Sequence, residues 1–170
     1  MSKLLTLPFA HPVKVLGLVI PATILGAHAI ERAGYPPCTL CLYQRIPYYV
    51  LVCVLLLAAL PLADDATAKR FRRPFLILIL AILLVSAGLG VFHAGVEFAL
   101  WEGPRGCSGA LDSSTIDNLL ESLRKTKVVS CTKASFWVLG LSLSVWNAII
   151  SMGLAALVGV AALKNQDAAA

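Results

Sequence analysis

Charge is what this sequence has least of. Only 14% of its 170 residues are Asp, Glu, Lys or Arg, 59% are hydrophobic, and the mean hydropathy is +0.85. Soluble domains carry about 25% charged residues, so an ordinary water-soluble fold is excluded. Basic and aromatic side chains do not interleave in the way a nucleic-acid groove requires. The formal charge of +5 therefore reads as membrane topology, and no nucleic-acid partner is expected. Histidine is scarce, at three residues, and none follows the Cys38-Thr39-Leu40-Cys41 string, which excludes a c-type haem attachment. A second closely spaced cysteine pair is also lacking. Zinc ribbons need one, so no metal is expected.

What is there is four apolar windows, residues 13–30, 42–62, 74–100 and 136–163. Each is about 18 residues or longer, enough to cross a hydrocarbon core as a helix at roughly 1.5 Å per residue. The predicted fold class is an all-α membrane protein, a four-transmembrane-helix bundle forming a single membrane domain over 1–170. Helices satisfy their own backbone hydrogen bonds in lipid, so packing falls to small residues, with Gly17, Gly26, Gly88, Gly140 and Gly153 as candidates. Lys3, Lys14 and Ala27-His28-Ala29 also resemble the flanks of a secretory signal. The apolar stretch between them exceeds the usual core of about 7 to 15 residues, and we read it as a retained helix.

The link at 63–73 carries Lys69, Arg70, Arg72 and Arg73, which marks it as cytoplasmic and places both termini inside. The segment 101–135 holds Arg105, Arg124, Lys125, Lys127 and Lys133 as well, and its acidic residues do not cancel them. The short link decides the orientation. With four crossings, the connections at 31–41 and 101–135 emerge on one face, as two extracytoplasmic loops. They carry Cys38 and Cys41 in the first, Cys107 and Cys131 in the second. Cys53 sits within helix two, where a lone thiol is usually packing. Thiols facing an extracytoplasmic space can be oxidised, whereas cytosolic ones are kept reduced.

A bridge between Cys107 and Cys131 could be purely structural, stabilising the loop by roughly 3 kcal/mol on the chain-entropy model. The Cys38–Cys41 pair closes too short a loop for that, and CxxC thiols are usually redox-active or metal ligands. Pro36 and Pro37 end helix one and hold the chain extended. Cys41 then falls at the start of helix two, where the helix dipole favours its thiolate. Arg45 lies one turn on, on the same face, suited to a thiolate or to a ligand oxygen that gains charge; alone, it could equally be a headgroup anchor.

In the second loop, Ser114 can cap a short amphipathic helix with Ile116, Leu119, Leu120 and Leu123 on one face, and Gly103, Pro104 and Gly106 loosen the chain before Cys107. His28, His93 and Glu97 are ionisable groups at membrane depth. The histidines either hydrogen-bond neighbouring helices, line a cofactor site or bracket a haem. Glu97 pairs with His93 or Arg45, or lies at the interface.

Tyr35-Pro-Pro-Cys-Thr-Leu-Cys-Leu-Tyr-Gln-Arg45 resembles the first-loop signature of the DsbB family of bacterial disulfide-bond formation proteins. Leu139-Gly-Leu-Ser142 with Trp146-Asn147 is similar to the start of that family's fourth helix, and the likeness extends over nearly the whole chain in helix count, loop order and cysteine pairing. A glutamate common in the family before the arginine is Gln44 here, and a cysteine of some relatives is Ile46.

The resemblance implies an inner-membrane thiol oxidase. A DsbA-like periplasmic thioredoxin-fold partner, in its dithiol form, attacks a Cys107–Cys131 disulfide at Cys107. Cys38 exchanges with that pair, and Cys41 passes electrons to ubiquinone or menaquinone beside Arg45 and His93. Such a quinone-coupled relay keeps a bacterial periplasm oxidising. Two other readings use the same residues. One is a quinone reductase of the vitamin K epoxide reductase type, disfavoured because its CxxC is expected late in the bundle. The other is a non-enzymatic membrane subunit with structural disulfides or haem.

Overall fold

The computed structural model describes residues 12–59, 65–104, 107 and 129–167, with side chains described for 12–57, 71–104, 107 and 129–164. Four long helices carry the fold: α1 (Pro12–Arg32), α2 (Thr39–Ala59), α3 (Asp65–Glu97) and α4 (Leu143–Asp167). All four are long and apolar enough to cross a membrane, yet only 11% to 39% of their apolar windows is buried within the chain. Side chains such as Leu18, Leu25, Leu57 and Leu84 point outward. A water-soluble bundle hides its leucines; here they are presented to lipid, as expected of a multi-pass membrane protein.

α3 packs most extensively on α4, α2 lies against α3, and α1 covers α2 and touches α4. Leu16, Ile20, Leu51, Ile79, Leu83 and Val158 meet in the shared core. A close helix approach uses Gly90, where a Cβ would stand 2.8 Å from the backbone nitrogen of Ala148. Gly90 was not among the glycines picked from sequence. Gly17, Gly26, Gly88, Gly140 and Gly153 have no neighbour within 4 Å of a built Cβ. Gly88 shows why: it precedes Gly90 by two residues, about 200° round the helix, and so faces away from α4.

Three helix starts differ from the hydropathy windows by three residues or more. α2 starts at Thr39, ahead of Leu42. α3 starts at Asp65, so the basic cluster rides on its early turns and straddles the start of the apolar span at Phe71. The apolar run beginning at Phe136 does not enter helix until Leu143. Before that, β1 (Trp137–Val138) and β2 (Leu141–Ser142) pair as an antiparallel hairpin, with Trp137 opposite Ser142 and Val138 opposite Leu141. Its two-residue turn, Leu139 at φ 50° and Gly140 at φ 79°, has the positive dihedrals that match strand twist. Ser142 Oγ then accepts the Val145 N–H and caps α4, and Trp146 Nε1 donates to the Val138 carbonyl, tying hairpin to helix. The amphipathic segment expected over 114–123 lies outside the described residues, as do Arg105, Arg124, Lys125 and Lys127.

Candidate active site

The chain leaves α1 through a paired hydrogen-bond turn, Gly34 N–H to the Glu31 carbonyl and Tyr35 N–H to the Ile30 carbonyl, with Gly34 at φ 98°. Pro36 and Pro37 then deliver Cys38 to the top of α2. The Cys38 carbonyl accepts the Leu42 N–H at 3.1 Å and its sulfur accepts the Cys41 N–H at 3.3 Å, so Cys38 is the N-cap of α2. Cys41 Sγ lies 2.8 Å away, and both are free thiols. Sequence reasoning placed the favoured thiolate on Cys41 because it started α2 too late; the observed cap gives that role to Cys38. The Cys38 thiol is pulled down to about 4, chiefly by the hydrogen bond from the Cys41 thiol. Burial opposes this, and His93 and the Cys41 N–H add to the lowering.

Cys107 and Cys131 form a disulfide with Cα atoms 4.9 Å apart, and both are fully buried. Cys131 N–H and Ser130 Oγ both donate to the Cys107 carbonyl, and Cys107 N–H donates to Pro104. Gly103, read from sequence as loosening the chain, is a close-approach position: a Cβ there would meet Cys107 Cβ and Val96 at 3.1 Å. Cys38, Leu40, Val96, Cys107 and Cys131 form one buried cluster. Within it the sulfurs of Cys38 and Cys131 and a ring nitrogen of His93 lie within 4.8 Å of one another. Three such donors could suggest a metal, but the Cys131 sulfur is bonded to Cys107 and has no thiolate to offer. Their spacing suits sulfur exchange.

His93, 2% exposed, is held from three sides. Gln44 Nε2 donates to Nδ1 at 2.7 Å, while Nε2 stands 3.5 Å from Cys38 Sγ and 3.6 Å from Glu97 Oε1. Ser144 Oγ donates to the other Glu97 oxygen and is joined to Ser142 Oγ at 2.8 Å. Of the sequence-based partners for Glu97, His93 is the one observed.

Arg45 pairs instead with Glu31, at 2.6 Å, and reaches the Ala27 carbonyl. His28 closes that group through Glu31 at 3.5 Å and Tyr49 OH at 2.9 Å. Among the described residues the two histidines belong to separate hydrogen-bond groups, His28 with Glu31 and Tyr49, His93 with Gln44, Cys38 and Glu97.

A cavity of about 270 Å³ opens between α1, α2, α4 and the hairpin. Its wall is largely apolar, with Tyr35, Phe136 and Trp146 among its rings and Cys41, Gln44 and Arg45 on the α2 side. Tyr35 and Phe136 meet edge to face at 4.9 Å, joining the first connection to the second. His93 is not part of this wall. It stands behind Gln44, on the sulfur side. Cys53 is exposed on the bundle surface, apart from both pairs.

Glu31 and Gln44 were missed from sequence. Glu31 offered one faint signal, as an acidic residue at membrane depth. Gln44 offered none.

The family model for disulfide bond formation protein DsbB matches residues 11–161. Disulfide bond formation protein B of Polaromonas sp. (strain JS666 / ATCC BAA-500) is 29% identical over 170 residues, covering 92% of this chain and 95% of the relative. An uncharacterized protein of Rickettsia prowazekii (strain Madrid E) is 28% identical over 155 residues, 86% of each chain. No solved structure matches the chain significantly.

Proposed function

Because the chain belongs to the DsbB family of disulfide bond formation proteins, we propose that this multi-pass membrane protein is a quinone-linked thiol oxidase that reoxidises a DsbA-like dithiol partner. One observation carries the reading: an unbroken line of sulfur from the loop disulfide to the cavity. Cys131 Sγ is within 4.8 Å of Cys38 Sγ, Cys38 Sγ is 2.8 Å from Cys41 Sγ, and Cys41 lines the cavity.

The chemistry balances along this line. A thiolate of the partner attacks Cys107 Sγ, forming a mixed disulfide and releasing Cys131 as thiolate. The partner's second thiol then displaces Cys107, leaving an oxidised partner and a Cys107, Cys131 dithiol. Exchange with a Cys38–Cys41 disulfide regenerates the Cys107–Cys131 bond and moves the two electrons and two protons to the first pair. The N-cap position makes Cys38 a good leaving group, since its thiolate is stabilised.

A quinone, ubiquinone or menaquinone, supplies the two-electron, two-proton sink. Its fit rests on the cavity itself: an apolar wall, a thiol on the lining, and a guanidinium held at the same wall by Glu31. Arg45 there stabilises negative charge on a ligand oxygen, and the apolar rings keep water from the Cys41 sulfur. We place the protein in a bacterial inner membrane with both termini cytoplasmic and the sulfur pairs on the periplasmic side, as the basic residues Arg72 and Arg73 favour.

The test is turnover. Purified protein should reduce an added quinone only when a reduced DsbA-like protein is present, and Cys41→Ser should abolish it. Sustained quinone reduction by Cys41→Ser overturns the assignment.

A further inference from the structure

The contact between Gln44 and His93 specifies where the imidazole carries its hydrogen. The Gln44 amide nitrogen can only donate, so His93 Nδ1, 2.7 Å away, must accept with its lone pair. The ring hydrogen then sits on Nε2, the nitrogen that faces Cys38 Sγ at 3.5 Å and Glu97 Oε1 at 3.6 Å. Three helices fix this arrangement. α2 supplies Gln44, α3 supplies His93 and Glu97, and α4 supplies Ser144, which holds the second oxygen of Glu97. All four side chains are buried or nearly so.

We propose that Gln44 and Glu97 are positioning residues of the sulfur relay, holding His93 as an Nε2–H donor aimed between the carboxylate and the Cys38 sulfur. The proposal deepens the thiol oxidase reading and rests on it. A sulfur bonded to another sulfur is a weak acceptor, so while Cys38 is in a disulfide the Nε2–H is drawn to Glu97. Once Cys38 leaves as thiolate, it becomes the better acceptor of the two. At a site this buried, water cannot solvate the leaving thiolate, and a donor already in place does so without reorganisation. No proton need be lost or gained by the ring in this exchange of partners. Among the described residues, the titratable groups facing His93 are Cys38 at the N-cap of α2 and Glu97 from α3. Cys131 is held in its disulfide, and Arg45 is occupied by Glu31.

The state of the ring can be read directly. Full-length protein labelled with nitrogen-15 histidine, in lipid nanodiscs, reports by its ring nitrogen shifts which atom bears hydrogen, and His93→Asn assigns the signals. Wild-type His93 should be the neutral Nε2–H form. Gln44→Glu, which sets an acceptor against Nδ1, should move hydrogen onto Nδ1.

In parallel, Gln44→Leu should leave roughly threefold to tenfold less Cys38 thiolate at a given acidic pH, read by iodoacetamide labelling, as expected for loss of one hydrogen bond of ordinary strength that holds the donor in place. An Nδ1–H ring in the wild type overturns the proposal. So does an unchanged ring in Gln44→Glu together with an unchanged Cys38 profile in Gln44→Leu. The wild-type spectrum needs no variant, so a misfolded substitution cannot rescue the idea. Neither quinone nor partner enters the measurement, so its failure is distinct from persistent turnover in Cys41→Ser.

Discussion

Cys38 and Cys41 are three residues apart, yet only Cys38 receives the cap hydrogen bond of α2. Its folded value of about 4 lies below the ordinary 9.0, with the Cys41 thiol as the largest cause. A depressed value means that ionised Cys38 stabilises the reduced fold. That contribution is complete above about pH 9, shrinks as the solution is acidified, and is gone below about pH 4. Reduced protein should therefore alkylate at Cys38 in mildly acidic buffer, where ordinary thiols are inert. Cys41→Ala, which removes the main donor, should raise the labelling midpoint. Iodoacetamide labelling between about pH 4 and about pH 9, followed by peptide mass spectrometry, measures both. A midpoint unmoved by Cys41→Ala would mean that the cap N–H and His93 set the acidity without it. At this scale the sequence singled out CxxC, Arg45 and His93 as candidates, because such groups are rare in an apolar chain, and the structure brings the two thiols and His93 together while Arg45 pairs with Glu31. The sequence did not show which sulfur caps α2, since that turns on a helix start three residues earlier than hydropathy suggests.

Two helices end in the same hydrogen-bond pattern but with different residues at the left-handed position. α1 uses Gly34 at φ 98°; α3 uses Ala99 at φ 55°, with Ala99 N–H to the Val96 carbonyl and Leu100 N–H to the Gly95 carbonyl. A Cβ in that conformation costs about 1 to 2 kcal/mol, partly offset by the smaller freedom of alanine in the unfolded chain. Ala99→Gly should thus stabilise the protein by roughly 0.5 to 1 kcal/mol, and Gly34→Ala should destabilise it by a similar amount. A Cβ at position 34 meets nothing within 4 Å, so that loss is backbone strain alone. Heat unfolding in detergent, followed by circular dichroism, should show the two midpoints moving in opposite directions; a lower midpoint for Ala99→Gly defeats the argument. The four helices were legible because a span of apolar residues has few alternatives in lipid. The hairpin was hidden by the same logic: Trp137 to Ser142 continues an apolar run, and only the Leu139-Gly140 turn distinguishes it.

Parity of crossings brings the two cysteine-bearing connections to one end of the bundle, and that much follows from counting helices. The pairings Glu31 with Arg45 and Gln44 with His93 do not, because they depend on the rotation of each helix against its neighbours, which the Gly90 contact with Ala148 helps to fix between α3 and α4. The same packing chooses among the sulfurs. Cys131, not merely the second pair as a whole, is brought within 4.8 Å of Cys38. A disulfide places its Cβ atoms only about 3.8 Å apart, so small movements should let Cys38 and Cys131 join once their partners are removed. The double variant Cys41→Ala, Cys107→Ala should therefore oxidise rapidly to an intramolecular Cys38–Cys131 bond, found as a linked peptide pair in a non-reducing digest. The companion Cys41→Ala, Cys131→Ala leaves Cys38 with Cys107 and should oxidise more slowly. Equal rates, or faster closure in the companion, would mean that the bundle does not select Cys131, and the sulfur line from loop to cavity would lose its middle link.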